Sequence, residues 1–150
     1  MATDKQVAIV TGAASGLGRA MTLGLLTAGI EVAGVDRNTD GLAGVAEAAR
    51  ERQALGALHA IGADLADPEA FDRIVANALR RFGRIDVLVN NAGIGQSGVR
   101  ADQRRNPIRF WEATPEQWSC FLAVNATAPI CWPVPCCHTC CPGKRAGSSP

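Results

Sequence analysis

The residues whose types and spacing promise chemistry begin at position 11. Thr11-Gly12-Ala13-Ala14-Ser15-Gly16-Leu17-Gly18 follows the apolar run Val7-Ala8-Ile9-Val10 directly and opens a stretch with helical periodicity. A strand that turns straight into a helix leaves the first helical N–H groups without partners, and the helix dipole adds partial positive charge there. Such a turn is a site for phosphate. Gly12 permits the tight turn, Gly16 lets backbone approach a pyrophosphate, and Gly18 allows the helix to pack close to the strand. Ser15 and Leu17 lie between them in the same cradle. Asp36 ends the next apolar run, Val32-Ala33-Gly34-Val35, where a carboxylate accepts hydrogen bonds from ribose hydroxyls. Turn and acid together predict a dinucleotide. The negative charge of Asp36 repels a 2′-phosphate, so NAD is the expected cofactor and NADP the less favoured one. Arg37 beside it softens that preference. Two plainer readings stand alongside. Glycines also simply mark turns, and Asp36–Arg37 can be a surface ion pair of little consequence.

The elements that must hold these residues form one repeated rhythm. Two further apolar runs, Ala57-Leu58-His59-Ala60-Ile61 and Val87-Leu88-Val89, join the two above. All four are too short for buried helices and predict buried parallel strands. Leu17, Ala20, Met21, Leu25 and Ala28 recur at helical spacing in the first gap, predicting the face that lies on the sheet. Leu42, Val45, Ala46 and Ala49 do so in the second gap. Phe71, Ile74, Val75, Ala78, Leu79 and Phe82 do so in the third, after Asp67-Pro68 as N-cap and first helical position. Gly29 and Gly83 sit where helix C-caps belong. The expected architecture is therefore α/β, a Rossmann-like doubly wound parallel sheet with helices on both faces. Residues 94–109 lack periodicity and predict a loop. A helix is expected to restart at Thr114-Pro115-Glu116, with Trp118, Phe121, Leu122 and Asn125 on one side.

Composition narrows the function classes. The chain has 150 residues, about one domain, with 47% apolar and 19% charged residues, enough for a core. Fifteen Lys plus Arg against fourteen Asp plus Glu give a formal charge of +1, unlike the strongly basic footprint of a nucleic-acid binder. The apolar stretches are far shorter than the roughly 20 residues that span a bilayer. Met1-Ala2-Thr3-Asp4-Lys5-Gln6 has no apolar signal region. The expectation is a soluble cytoplasmic protein with neither nucleic acid nor membrane as partner.

The glycine spacing is T-G-x-x-x-G-x-G, which resembles the first turn of the short-chain dehydrogenase/reductase family. Asp64-Leu65 after the third strand is similar to the pair that flanks the adenine ring in that family. Asn90-Asn91-Ala92-Gly93 after the fourth resembles its N-N-A-G element, which steadies the sheet and lines the cofactor site. Asn125 in Val124-Asn125 matches the asparagine of the catalytic tetrad, which holds a water in the proton relay. The resemblance runs from about Lys5 to Asn125 and rests on four motifs in the family's order. It implies the sheet order 3-2-1-4 for this part, with the fourth strand as an edge if the chain ends as written. It also implies hydride transfer between a nicotinamide and a small alcohol or carbonyl substrate, and a homo-oligomer. Structural alternatives remain at two landmarks: Asp64 as a cap of the following turn, and Asn90-Asn91 as strand-end hydrogen bonding.

The family's acid–base pair is Y-x-x-x-K, in which a cation brings tyrosine into the working pH range. This sequence contains no tyrosine. Of the tetrad only Asn125 is present, so the chain by itself is expected to be catalytically incompetent. From Ala126 onward five of the eight prolines and no acidic residue occur. The expected division is an incomplete dinucleotide-binding domain over 1–128 and an irregular Cys/Pro-rich tail over 129–150. Translation out of frame, or truncation, after about residue 128 accounts for that change. Other readings are a non-catalytic NAD-binding module, or a metal or redox site in the tail at Cys137-His138-Thr139-Cys140. No metal ligand set is assigned. His59, in a buried strand, is expected to be structural.

Overall fold

The four apolar runs form the strands β1 (Val7–Thr11), β2 (Glu31–Asp36), β3 (Leu58–Gly62) and β4 (Val87–Val89). The computed structural model describes residues 4–95, 100 and 102–132. All pairings are parallel and the order is β3-β2-β1-β4, as the resemblance implies. Every residue of β1 is buried, because the strand is paired on both sides and covered on both faces.

The crossovers are α1 (Gly16–Thr27), α2 (Thr39–Glu51) and α3 (Ala70–Phe82). Alternation along β1 divides the core. Val10 faces a layer with Leu23 and Leu26 of α1 and Leu42 and Val45 of α2. Val7 and Ile9 face the other layer, which holds Phe71, Ile74, Ala78 and Phe82 of α3. Each such buried aliphatic side chain contributes about 1.5–3 kcal/mol relative to exposure. The α2 and α3 faces agree with their apolar periodicity.

The α1 face does not. Its buried residues are Gly18, Thr22, Leu23 and Leu26, whereas Leu17 is 76% exposed and Ala20 lies outside. The helix is apolar on more than one side, so periodicity does not select a face. Steric fit does: a Cβ on Gly18 would overlap the Gly12 carbonyl oxygen, which places this side of the helix against the turn.

Local chemistry ends the elements where the residue types require it. Gly29 and Gly83 follow α1 and α3 with φ of +85° and +81°. Asp67 accepts the Glu69 N–H at 3.0 Å and closes the turn through Pro68, three residues ahead of Ala70, so the N-cap of α3 is Glu69 and not the expected Asp67. Among the described residues β3 and β4 are the edge strands, and in β4 Val87 is 41% exposed. β4 is tied to β1 from below, since the Val7 N–H donates to Asp86 Oδ2 at 2.8 Å and Arg84 clasps the same carboxylate.

Beyond the loop, α4 (Pro115–Leu122) starts at Thr114 with a reciprocal cap to Gln117. A π turn, Ala123–Thr127, and a short α5 (Ala128–Cys131) continue it. The helix thus runs through Ala126 to Cys131, into the stretch from 129 that was expected to be irregular. Trp132, at its end, is fully buried. The tail cysteines Cys136, Cys137, Cys140 and Cys141, with His138, lie outside the described residues.

Candidate functional site

The C-terminal ends of β1, β2, β3 and β4 open into one cavity of about 510 Å³. That volume is ordinary for a small-molecule site, and strand C-terminal ends are where open parallel sheets bind ligands.

The floor is the glycine turn. Gly12 and Gly16 have φ of +67° and +52°, conformations that penalise any Cβ. A Cβ on Gly12 would lie 2.8 Å from Asn91 Nδ2, whereas one on Gly16 would meet no protein atom within 4 Å. Gly12 is therefore confined by protein, and Gly16 faces open space in the cavity. Gly12, Ser15, Gly16 and Leu17 line it, while Gly18 sits behind, packed on the turn.

The N-terminus of α1 differs from those of α2 and α4. Asn38 caps α2 by accepting the Gly41 N–H at 2.9 Å, with Asp40 in the first turn. Thr114 caps α4. Ser15 makes no side-chain cap on α1, and the first turn has no acidic residue. The positive end of a twelve-residue helix faces the cavity with no capping side chain and no acid in its own first turn.

Thr11 and Asn91 hold this floor rigid. The Thr11 hydroxyl donates to the Val89 carbonyl at 3.2 Å and accepts the N–H groups of Asn91 and Ala92, each at 3.0 Å. Asn91 Nδ2 in turn donates to the carbonyls of Thr11 and Gly12. The strand-end reading of Asn91 is thus realised, and Asn91, Ala92 and Gly93 also line the cavity.

At the rim, Asp36 accepts N–H groups from Ala14 (3.0 Å) and Asn38 (2.9 Å). These bonds fix the carboxylate between the glycine turn and the β2–α2 turn. Its recorded partners are backbone amides and not Arg37, which lines the cavity beside it. Asp64 accepts the Ala66 N–H at 2.9 Å, so it does cap its turn; it and Leu65 line the cavity as well.

Asn125 lies outside the lining and acts on the wall. Its Oδ1 accepts the Ile94 N–H at 3.2 Å, and its Nδ2 donates to the carbonyls of Ile94 and Phe121, each at 2.9 Å. It occupies the π turn, a distortion that recurs at functional sites.

Sequence reasoning missed Val35, Asn38, Ala63, Ile94 and Val124, which complete the lining. Four of them adjoin named residues at strand ends, which was the available signal; Val124 carried none beyond preceding Asn125. His59 is remote from this site. It packs edge-on against Phe82 at 6.2 Å, and burial, then the charges of Arg81 and Arg80, hold its pKa below the ordinary value. Two loop arginines are engaged locally, Arg100 with Glu112 and the Asn106 carbonyl, and Arg109 over the Trp111 ring. No helix among the described residues is long and apolar enough to cross a membrane.

A sequence profile described as short chain dehydrogenase matches residues 6–142, extending beyond Asn125. A 1-deoxy-11-beta-hydroxypentalenate dehydrogenase of Streptomyces avermitilis is 45% identical over 95 residues, 63% of this chain and 34% of the relative. The L-sorbose reductase of Gluconobacter frateurii, solved with NADPH and L-sorbose, superposes with a TM-score of 0.78 at 27% identity. That match covers 93% of this chain and 49% of the reductase. A 3-ketoacyl-(acyl-carrier-protein) reductase of Brucella melitensis, solved with NADH, gives 0.71 at 31% identity, over 85% and 47%. The chain spans between a third and a half of the length of such curated relatives.

Proposed function

The chain belongs to the short chain dehydrogenase family, and from that premise we propose that it is the dinucleotide-binding part of an oxidoreductase. The observation that carries this is the N-terminus of α1, which has no internal cap and opens into a cavity with Asp36 at its rim. The backbone N–H groups at Ser15, Gly16 and Leu17 hold the diphosphate. Asp36 takes the adenosine ribose hydroxyls. Each carboxylate oxygen already accepts one N–H and has capacity for another donor. Its fixed negative charge disfavours a 2′-phosphate, so NAD is preferred to NADP. Asp64 and Leu65 flank the base, and Asn91, Ala92 and Gly93 form the opposite wall.

When bound, the nicotinamide supplies the hydride exchanged with an alcohol or carbonyl carbon. Asn125 keeps the wall at Ile94 in place and matches the tetrad member that holds a relay water in the family. The matching proton donor is missing from this sequence, which has no tyrosine. We therefore assign the 150 residues dinucleotide binding without turnover. A non-catalytic NAD-binding module is the second reading, favoured by that same absence.

Titration of NADH fluorescence, together with an activity scan over small alcohols and carbonyls, tests this. Saturable enhancement, stronger for NADH than for NADPH and without turnover, is expected. A folded sample that leaves NADH fluorescence unchanged overturns the binding assignment. Reduction of a carbonyl by the purified chain overturns the assignment of inactivity.

A further inference from the structure

We propose that Trp132 is a positioning residue: it anchors the helical run that carries Asn125, and through Asn125 it sets the Gly93–Ile94 wall of the cavity. α4 itself buries no residue, and Trp118, Leu122 and Ile130 along the run are 57%, 40% and 73% exposed. The run reaches the core through Val124, Ala128 and Trp132, each four residues after the last and 8%, 1% and 0% exposed. Val124 and Ala128 are small, so Trp132 supplies most of the buried surface. Its ring meets Phe71 of α3 edge to face, with centroids 5.1 Å apart and planes at 78°. Among the described residues its indole N–H has no acceptor, so the ring acts through shape and apolar contact.

The geometry between these anchors makes the coupling specific. Asn125 sits between Val124 and Ala128 in a π turn, a conformation held by its surroundings. Its amide grips both the N–H and the carbonyl of Ile94, while a Cβ on Gly93 would come within 2.9 Å of Asn125 Oδ1. Releasing the far end of the run frees the clasp. The central strand, enclosed by other contacts, keeps its structure.

Amide hydrogen exchange on the full chain tests this without any ligand. In Trp132→Ala, the Ile94 amide is expected to exchange about tenfold faster relative to the amides of Ile9 and Val10. Trp132→Phe keeps a ring against Phe71 and is expected to restore slow exchange. If Trp132→Ala fails to fold, Trp132→Leu carries the same comparison. Uniform acceleration at all amides, or an unchanged Ile94, overturns the proposal.

The role at the cavity rests on the dinucleotide reading. ADP affinity, measured in parallel, is expected to fall about tenfold in the alanine variant and to recover in the phenylalanine variant. If no form binds ADP while the exchange pattern holds, the dinucleotide reading has failed and the anchor stands. If ADP binds equally to every form, Trp132 does not position the wall.

Discussion

Two alanine substitutions in α1, eight residues apart, separate the ligand-binding glycine from an ordinary one. Gly16 has φ of +52°, and its Cβ would face open space in the cavity. Gly24 also has open space around its Cβ but lies within regular helix. Gly24→Ala removes the entropic cost of glycine and is expected to stabilise the fold by about 1 kcal/mol. Gly16→Ala forces a left-handed alanine and is expected to destabilise it by about 1–2 kcal/mol. The same added methyl thus splits the two variants by about 2–3 kcal/mol, well within the resolution of urea denaturation. Affinity moves differently. The methyl at Gly16 stands where a diphosphate must approach backbone, so NADH affinity falls at least about tenfold, or roughly 1.4 kcal/mol. Gly24→Ala leaves it unchanged. Equal NADH affinity in the two variants, with both folded, refutes the assignment of Gly16 to the phosphate. A Gly24→Ala variant that is less stable than the parent refutes the helical argument.

Asp36→Ala removes the acceptor of two backbone N–H groups and is expected to lower stability by about 1–3 kcal/mol. It also removes the charge that repels a 2′-phosphate, so the NADPH to NADH affinity ratio rises about tenfold; fluorescence titration with both coenzymes checks this. Asp86 is held below the ordinary value of 3.8 by the Arg84 hydrogen bonds, aided by the Val7 N–H and opposed by burial. A depressed folded value adds stability that is full above about pH 4 and is lost as pH falls through that value. Asp86→Asn is therefore expected to be about 1 kcal/mol less stable than the parent at pH 7, with the gap narrowing as the pH falls below about 4, by urea midpoints. His59 also has a lowered folded value, so its neutral form is favoured in the fold. Its contribution is complete above about pH 6.5 and is lost as pH drops through the folded value. His59→Gln is expected to flatten that part of the stability profile.

Elements whose pattern has one meaning were legible from sequence. Val87–Val89 is a strand at the residues expected, and Thr114-Pro115 starts a helix because both residues cap and open it. At the site, the glycine turn and Asp36 were legible because few residue types meet those backbone and charge demands. The sheet-facing side of α1 was not, since Leu17, Met21 and Leu25 are as apolar as Leu23 and Leu26; the choice lies in the Gly18–Gly12 contact, which no periodicity encodes. The helix beyond Ala126 was hidden by the Cys/Pro-rich composition of the segment in which Pro129 lies. That proline falls in the first turn of α5, where proline is tolerated. The clasp of Asn125 on Ile94 depends on a π turn and a contact 31 residues away, neither of which leaves a local sequence signal.

The central claim is that the amides opening α1 grip a diphosphate. Following the backbone N–H resonances during titration with ADP addresses it directly. The account predicts saturable shifts that are largest at Ser15, Gly16 and Leu17, with smaller ones at Ala92 and Gly93. A folded chain whose α1 amides stay unmoved at saturating ADP, or whose shifts gather elsewhere on the surface, contradicts it.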